Sequence, residues 1–250
     1  TNVSSSFLEA CQESIADEQK FNNFKQDSRY KNILEHVSEE ESKIFISEMK
    51  NIKSLTKTRL AKIKENDLYG NPEICKYDFF GDISPSTIRY IKNSLDIYNF
   101  LKKKKIENIV EIGGSHGGLC KVLNAFYNYD NYVSIENPIV NQLFEKYVSN
   151  FPELKDKIIY ISSDELDEIE NIDLVISNYA FSEFSQETQI KYYNSTILNS
   201  KYFYMVYNNI TRNNMNHKKF FDMASKDFDI VVEEEVRERH TNYIFYGTKK

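Results

Sequence analysis

Four of the chain's seven glycines fall in one short stretch, ENIVEIGGSHGGLCKVL (107–123): Gly113, Gly114, Gly117 and Gly118. An apolar run precedes them and a run with helical spacing follows. A strand, a glycine turn and a helix start gather backbone N–H groups and the positive end of a helix around one point. That layout holds a ligand. Two acids accompany it. Glu111 ends the apolar run two positions before Gly113, and Glu136 ends the next apolar run, 23 positions after Gly113. An acid about 20 residues beyond such a loop commonly takes ribose hydroxyls.

The spacing and the charge choose between ligands. The dinucleotide pattern G-x-G-x-x-G fails from Gly113, where the third position is Ser115, and from Gly114, where it is His116. The phosphate-loop pattern G-x-x-x-x-G-K-[ST] is absent. A carboxylate at Glu111, on the end of a buried strand, would repel a pyrophosphate and favour a ligand carrying an ammonium and a sulfonium. S-adenosylmethionine carries both and has no phosphate. Glu136 suits the ribose of either ligand. In IYISSDEL, Ser163 and Asp164 follow the third apolar run, where Asp164 suits either an adenine amino group or the N-cap of a turn.

The elements that must position these residues are legible in outline. Residues 1–80 read as helical. Ser38 and Glu41 have capping-box spacing, and Phe45, Met49, Ile52, Leu55, Leu60 and Ile63 recur at roughly helical intervals. A turn at Tyr69-Gly70-Asn71-Pro72 follows. A helix then opens at Ser84 as N-cap with Pro85 in its first position, and Ile88, Ile91, Leu95 and Tyr98 line one face. Beyond it, short apolar runs at 108–112, 132–135, 158–161, 174–177, 203–207, 230–232 and 243–246 read as strands. Helical stretches separate most of the early ones, which argues for a mainly parallel, doubly wound sheet. The last two runs have a charged connection of about ten residues, too short for a helical crossover, so they should pair antiparallel.

VEIGGSHGG resembles the first motif of the class I SAM-dependent methyltransferases, an acid followed by glycines at alternate positions. Here the positions are Glu111, Gly113, Ser115 and Gly117, with Ser115 in place of the usual middle glycine. Residues 79–184 further resemble the sugar O-methyltransferase family, through GDISPSTIRYI, VEIGGSHGGLCKVL and DLVISNYAFSEFSQETQIKYY, and the closing RHTNYIFYGTK is similar as well. The family's Asp-Leu-Pro after the second strand is Glu136-Asn137-Pro138 here.

The resemblance implies a Rossmann-like class I methyltransferase fold. Its seven-stranded, mostly parallel sheet has the last strand antiparallel (residues 81–250), and an N-terminal helical segment (1–80) serves as a cap or a dimer surface. It implies S-adenosylmethionine as cofactor, a sugar or glycan as substrate, and a cofactor set of Arg89, Glu111, Gly113, Gly114, Gly117, Glu136, Asn137, Ser163, Asp164 and Asn178. Arg89 suits the methionyl carboxylate or a surface ion pair. Methyl transfer to a hydroxyl needs a positioned base. His116 is one candidate, or it covers the cofactor. Glu183 is the other, or it is a carboxylate at a helix start. Tyr179, Asn208, Asn209 and His240 are candidates for the acceptor. Asn suits both sugar hydroxyls and turns, and His240, like His217, suits the pocket or the surface. His36, among the N-terminal helices, reads as structural.

Composition narrows the classes. A net charge of −6 is against a nucleic-acid surface, which needs a basic stripe. No apolar run of about 18 residues offers a membrane span, and no signal pattern opens the chain. The three cysteines, Cys11, Cys75 and Cys120, have no metal-ligand spacing and read as reduced thiols in a cytoplasmic protein. No metal site is expected. The rival readings are a methyltransferase for another metabolite, such as a phosphorylated one, a non-catalytic partner with this fold, and a dinucleotide oxidoreductase, which the loop spacing disfavours.

Overall fold

The structure, a computed structural model, describes residues 4–102, 104–208, 214–236 and 241–250. The N-terminal part contains α1 (Ser5–Ala16), α2 (Glu18–Phe21), α3 (Ser28–Leu34), α4 (Glu39–Glu48) and α5 (Lys57–Lys64). A hairpin of β1 (Cys75–Tyr77) and β2 (Gly81–Ile83) leads to the long α6 (Pro85–Leu101). Then come β3 (Asn108–Ile112), α7 (Gly118–Leu123), β4 (Asn131–Glu136), α8 (Pro138–Val148), β5 (Ile158–Ser162) and β6 (Ile172–Asn178). The chain finishes with α9 (Ala180–Glu183), α10 (Gln186–Ser195), β7 (Ser200–Tyr207), α11 (His217–Ala224), β8 (Phe228–Val236) and β9 (Thr241–Lys249).

The large sheet has seven strands in the order β5-β4-β3-β6-β7-β9-β8. The five strands from β3 to β7 run parallel, and β9 lies antiparallel between β7 and β8. This is the expected sheet with its last strand reversed. β8 reaches further than the sequence suggested: Glu233, Glu234 and Glu235 belong to it and pair with Ile244, Tyr243 and Asn242. Charge on that strand is tolerated because β8 is the sheet's edge. Glu233 reaches Lys50 at 2.8 Å, while Glu235 is buried and accepts from Tyr179 and Asn242.

Alternation along the strands feeds two cores. Ile109, Leu174 and Tyr204 join one cluster, and their neighbours Val110, Val175, Phe203 and Met205 join the other with Phe181, Tyr192 and Phe220. The first cluster also takes Phe7, Phe21, Phe24, Tyr30, Phe45, Leu55 and Ile63, so the N-terminal helices share a core with the sheet. Each such side chain contributes about 1.5–3 kcal/mol when fully buried.

Local signals explain the element ends. Ser84 Oγ accepts from the Thr87 amide at 3.1 Å, and Asp67 binds both residues, which fixes the start of α6. Ser38 Oγ accepts from the Glu41 amide at 3.0 Å. The apolar period that runs from 45 to 63 is not one helix. Asn51 takes a left-handed φ of 59° after α4, and Thr56 caps a new helix by accepting from the Arg59 amide. Phe45, Leu55 and Ile63 still meet in one core.

Candidate active site

Strand order reverses beside β3: β4 pairs on one side and β6, the later strand, on the other. In open α/β sheets, ligands bind at the carboxyl ends of the strands where this happens. A cavity of about 650 Å³ lies there, lined by residues from the ends of β3, β4 and β6, by Asn208 just after β7, and by residues from β9, α6 and the N-terminal part.

The glycine loop is shaped by contact as well as conformation. Gly113 has φ +80°, and a Cβ there would sit 2.2 Å from the Ala180 Cβ, so the loop touches the start of α9. Gly117 has φ +87° and lies against the Phe144 ring, outside the cavity lining. Between them, Ser115 adopts φ 55°, a left-handed conformation that glycine would take without strain. Its Oγ meets the Tyr30 hydroxyl at 3.0 Å, and its amide donates to Glu136 at 3.4 Å. These bonds hold the serine where the motif ordinarily has a glycine.

Glu111 and Glu136 both face the cavity. Glu111 is 3% exposed and accepts a 2.6 Å hydrogen bond from the Tyr132 hydroxyl. Burial pushes its carboxyl up to about 7, against that hydrogen bond and with help from the charge of Glu136. Glu136 accepts from the Asn137 amide at 2.9 Å and is likewise raised by burial. Among the described residues, neither carboxylate has an ion pair. A negative charge without a cation is costly to bury. The pair therefore fits a cationic ligand.

Other expected cofactor residues divide. Gly114, Ser163, Asn178 and Arg89 line the cavity. The Ser163 amide donates to the Glu136 carbonyl at 2.9 Å. Among the described residues, the buried Asn178 Oδ1 has no partner. Arg89 is no surface ion pair: it is 6% exposed, donates to the Leu34 carbonyl at 3.0 Å, and lies near the Tyr90 and Tyr179 rings. Asn137 caps α8 through the Ile139 amide, and Asp164 is exposed; neither lines the cavity.

The two candidate bases occupy different places. Glu183 lines the cavity, and Asn208 Nδ2 donates to its carboxylate at 2.9 Å. Ser182 Oγ donates to Asn208 Oδ1 at 3.0 Å and so fixes that amide's orientation. His116 is 0% exposed and outside the lining. Its Nδ1 lies 2.7 Å from the Tyr30 hydroxyl, and its ring packs among Phe24, Tyr90 and Tyr147. Burial, then the charges of Lys25 and Arg89, hold its pKa well below the ordinary value. The imidazole ties the glycine loop to the N-terminal helices.

Tyr179 and Asn208, expected at the acceptor, line the cavity. Tyr179 has φ 69°, and its hydroxyl donates to Glu235 at 3.1 Å. Asn209 and His240 lie outside the described residues. Sequence reasoning read the N-terminal segment as a cap or a dimer surface but identified none of its cavity residues, Phe7, Leu34, His36 and Glu41 among them, and it pointed to neither Asn93 on α6 nor Asn242 on β9. Their signal was only an ordinary helical or strand pattern. Among the described residues, no group of three His, Cys, Asp or Glu side chains is placed to hold a metal ion, and no helix is long and apolar enough to cross a membrane.

No protein-family model and no curated protein matches the sequence. Solved structures do. The methyltransferase domain of bacterial CtHen1 matches with a TM-score of 0.51 and 10% identity, over 64% of this chain and 98% of that one. A Thermoplasma acidophilum protein designated 1320 matches with a TM-score of 0.50 and 13% identity, over 80% of this chain and 98% of that one. Mitomycin 7-O-methyltransferase MmcR matches with a TM-score of 0.51 and 10% identity, over 66% of this chain but only 56% of its own. With the strand order and the glycine loop at the switch point, these likenesses establish that the chain has the Rossmann-like fold of class I methyltransferases.

Proposed function

We propose that the chain is an S-adenosylmethionine-dependent O-methyltransferase acting on a sugar hydroxyl, with residues 81–250 as the catalytic unit and 1–80 as its cap. The observation that carries the cofactor assignment is the pair Glu111, buried, and Glu136, half-buried: two carboxylates facing one cavity with no ion pair among the described residues, beneath a loop that lacks dinucleotide spacing. Glu136 meets the ribose hydroxyls, Glu111 the cationic aminoacyl end, and Asn178 Oδ1 offers an acceptor without a partner among the described residues. S-adenosylmethionine, when bound, supplies a methyl group on a cationic sulfur to the attacking oxygen.

The chain's own residues position the acceptor and take its proton. Holding donor and acceptor in line accounts for much of such a rate. Glu183, set by the Asn208 amide, accepts the hydroxyl proton as the oxygen bonds to the methyl carbon. His116 serves the loop. The acceptor class follows from charge: Arg89 is the sole Lys or Arg in the described lining, so a phosphorylated metabolite finds little to neutralise it. The sugar O-methyltransferase resemblance of residues 79–184 gives the hydroxyl. The test is incubation with methyl-labelled S-adenosylmethionine and a panel of nucleotide sugars and glycans, read by mass spectrometry. A gain of one methyl group on a sugar supports the proposal; transfer only to phosphorylated non-sugar metabolites in a parallel panel contradicts it.

A further inference from the structure

The cavity has two ends set by the sheet. Glu111 and Glu136 lie at the ends of β3 and β4, and Gly113 and Ser163 just after β3 and β5. The other end lies over β6, β7 and β9, under α6, and two asparagines there have an unspent hydrogen-bonding group. Asn93, on α6, is 1% exposed; its Oδ1 accepts from the Tyr204 hydroxyl at 3.3 Å, and its Nδ2 has no partner among the described residues. Asn242, on β9, is 1% exposed; its Nδ2 donates to Glu235 at 2.8 Å, and its Oδ1 has no partner among the described residues. Glu235 is an acceptor toward that amide, so Asn242 must turn its oxygen away from it. Both residues line the cavity. Buried polar groups are almost always hydrogen-bonded, and one left unmade costs about 1–3 kcal/mol.

We infer that Asn93 and Asn242 are specificity-determining residues that read the hydroxyls of an uncharged acceptor, Asn93 donating through Nδ2 and Asn242 accepting through Oδ1. The inference rests on the methyl-transfer reading. The ligand class is a polyhydroxylated ring, since each hydroxyl both donates and accepts and satisfies either amide. A carboxylate or phosphate would leave Asn242 Oδ1 without a donor and facing negative charge. A purely apolar acceptor would leave both amides unpaid. The shared chemistry covers a free pyranose and the sugar of a nucleotide conjugate.

The full chain is assayed with S-adenosylmethionine against methyl hexopyranosides in one arm and UDP-hexoses in the other, with the monodeoxy form of each accepted compound. Cofactor affinity is measured in parallel by calorimetry. Asn93→Ala and Asn242→Ala should each raise the acceptor KM about tenfold, the loss of about one hydrogen bond to an uncharged group, and leave cofactor affinity unchanged. With wild type, removing the hydroxyl that Asn242 reads should cost a similar factor. That same deoxy compound should show no further loss with Asn242→Ala, which a merely structural role would not produce. The arm that is methylated names the source of the sugar. Unchanged acceptor KM in both variants, additive losses with every deoxy compound, or cofactor binding with no pyranose methylated in either arm overturns the inference. Failure of wild type to bind S-adenosylmethionine overturns the underlying cofactor reading instead, and is told apart by the calorimetry.

Discussion

Replacing Glu111 by Gln keeps the shape of the side chain and an acceptor for the Tyr132 hydroxyl, and removes the charge. Two opposite effects follow. In the ligand-free protein, burial holds the carboxyl at about 7, against 4.5 ordinarily. A carboxyl raised in the folded state contributes stability that is fully present below the ordinary value and is lost as the pH climbs through about 7. At pH 8 the ionised form therefore costs the fold about 3 kcal/mol. Glu111→Gln relieves that cost, so the melting temperature of the ligand-free protein should rise by several degrees at pH 8 and change little at pH 5. Cofactor binding responds in the other direction. The carboxylate attracts the cationic ligand, and its loss should weaken S-adenosylmethionine binding at pH 8 by about 2–4 kcal/mol, roughly 30-fold to 1000-fold. Wild-type affinity should fall about 30-fold between pH 8 and pH 5.5 as Glu111 takes its proton, with Glu111→Gln nearly flat over that range once titration of the ligand's own amine is subtracted. Calorimetry and thermal melts across pH make both measurements. A Gln variant that binds as tightly as wild type, or that melts lower at pH 8 with the same pH slope, refutes the assignment of Glu111 as an uncompensated charge awaiting a cation.

Three further outcomes follow from the geometry. Gly113→Ala places a methyl group on the Ala180 Cβ at a positive φ, so the fold should lose about 2–4 kcal/mol, seen as a melting point lowered by about 5–15 °C; an unchanged melting curve contradicts the close approach. Glu183→Gln should lower kcat about 100-fold or more while cofactor affinity stays within about twofold, and a kcat near wild type removes this residue as the base. His116→Leu should cost about 1–3 kcal/mol of stability through Tyr30 and the aromatic cluster, with kcat changed by less than about tenfold; a kcat loss as large as that expected for Glu183 returns the base role to the imidazole.

The sheet was legible because its central strands are buried on both faces and read as continuous apolar runs broken by turns. The reversed last strand followed from the short connection before it. Its length was misread because an acidic triplet looks like a loop, yet the edge of a sheet accepts charge and Glu235 is buried on its own partners. The end of the cavity proposed for the cofactor was legible because it is local in sequence: Glu111, the glycines and Glu136 fall within one strand-loop-helix-strand unit. The end proposed for the acceptor was not. Asn93, Asn242, Leu34 and His36 come from a helix, a strand and two places in the N-terminal part, and only the folded chain brings them together. His116 drew attention as a titratable group in a glycine loop. Its fate was set by Tyr30, 86 positions earlier, which no local pattern reveals. The helical spacing of apolar residues over 45–63 is interrupted at Asn51, whose tolerance of the left-handed region outweighs the apolar period around it.

We propose that this cavity holds S-adenosylmethionine through Glu111 and Glu136. Calorimetric titration of the full chain with S-adenosylmethionine and with NAD, on wild type and on Glu136→Ala, tests it most directly. One S-adenosylmethionine per chain, a strong loss of affinity in the variant, and no NAD binding are the expected results. Absence of S-adenosylmethionine binding, affinity undiminished by Glu136→Ala, or equal binding of NAD would contradict it.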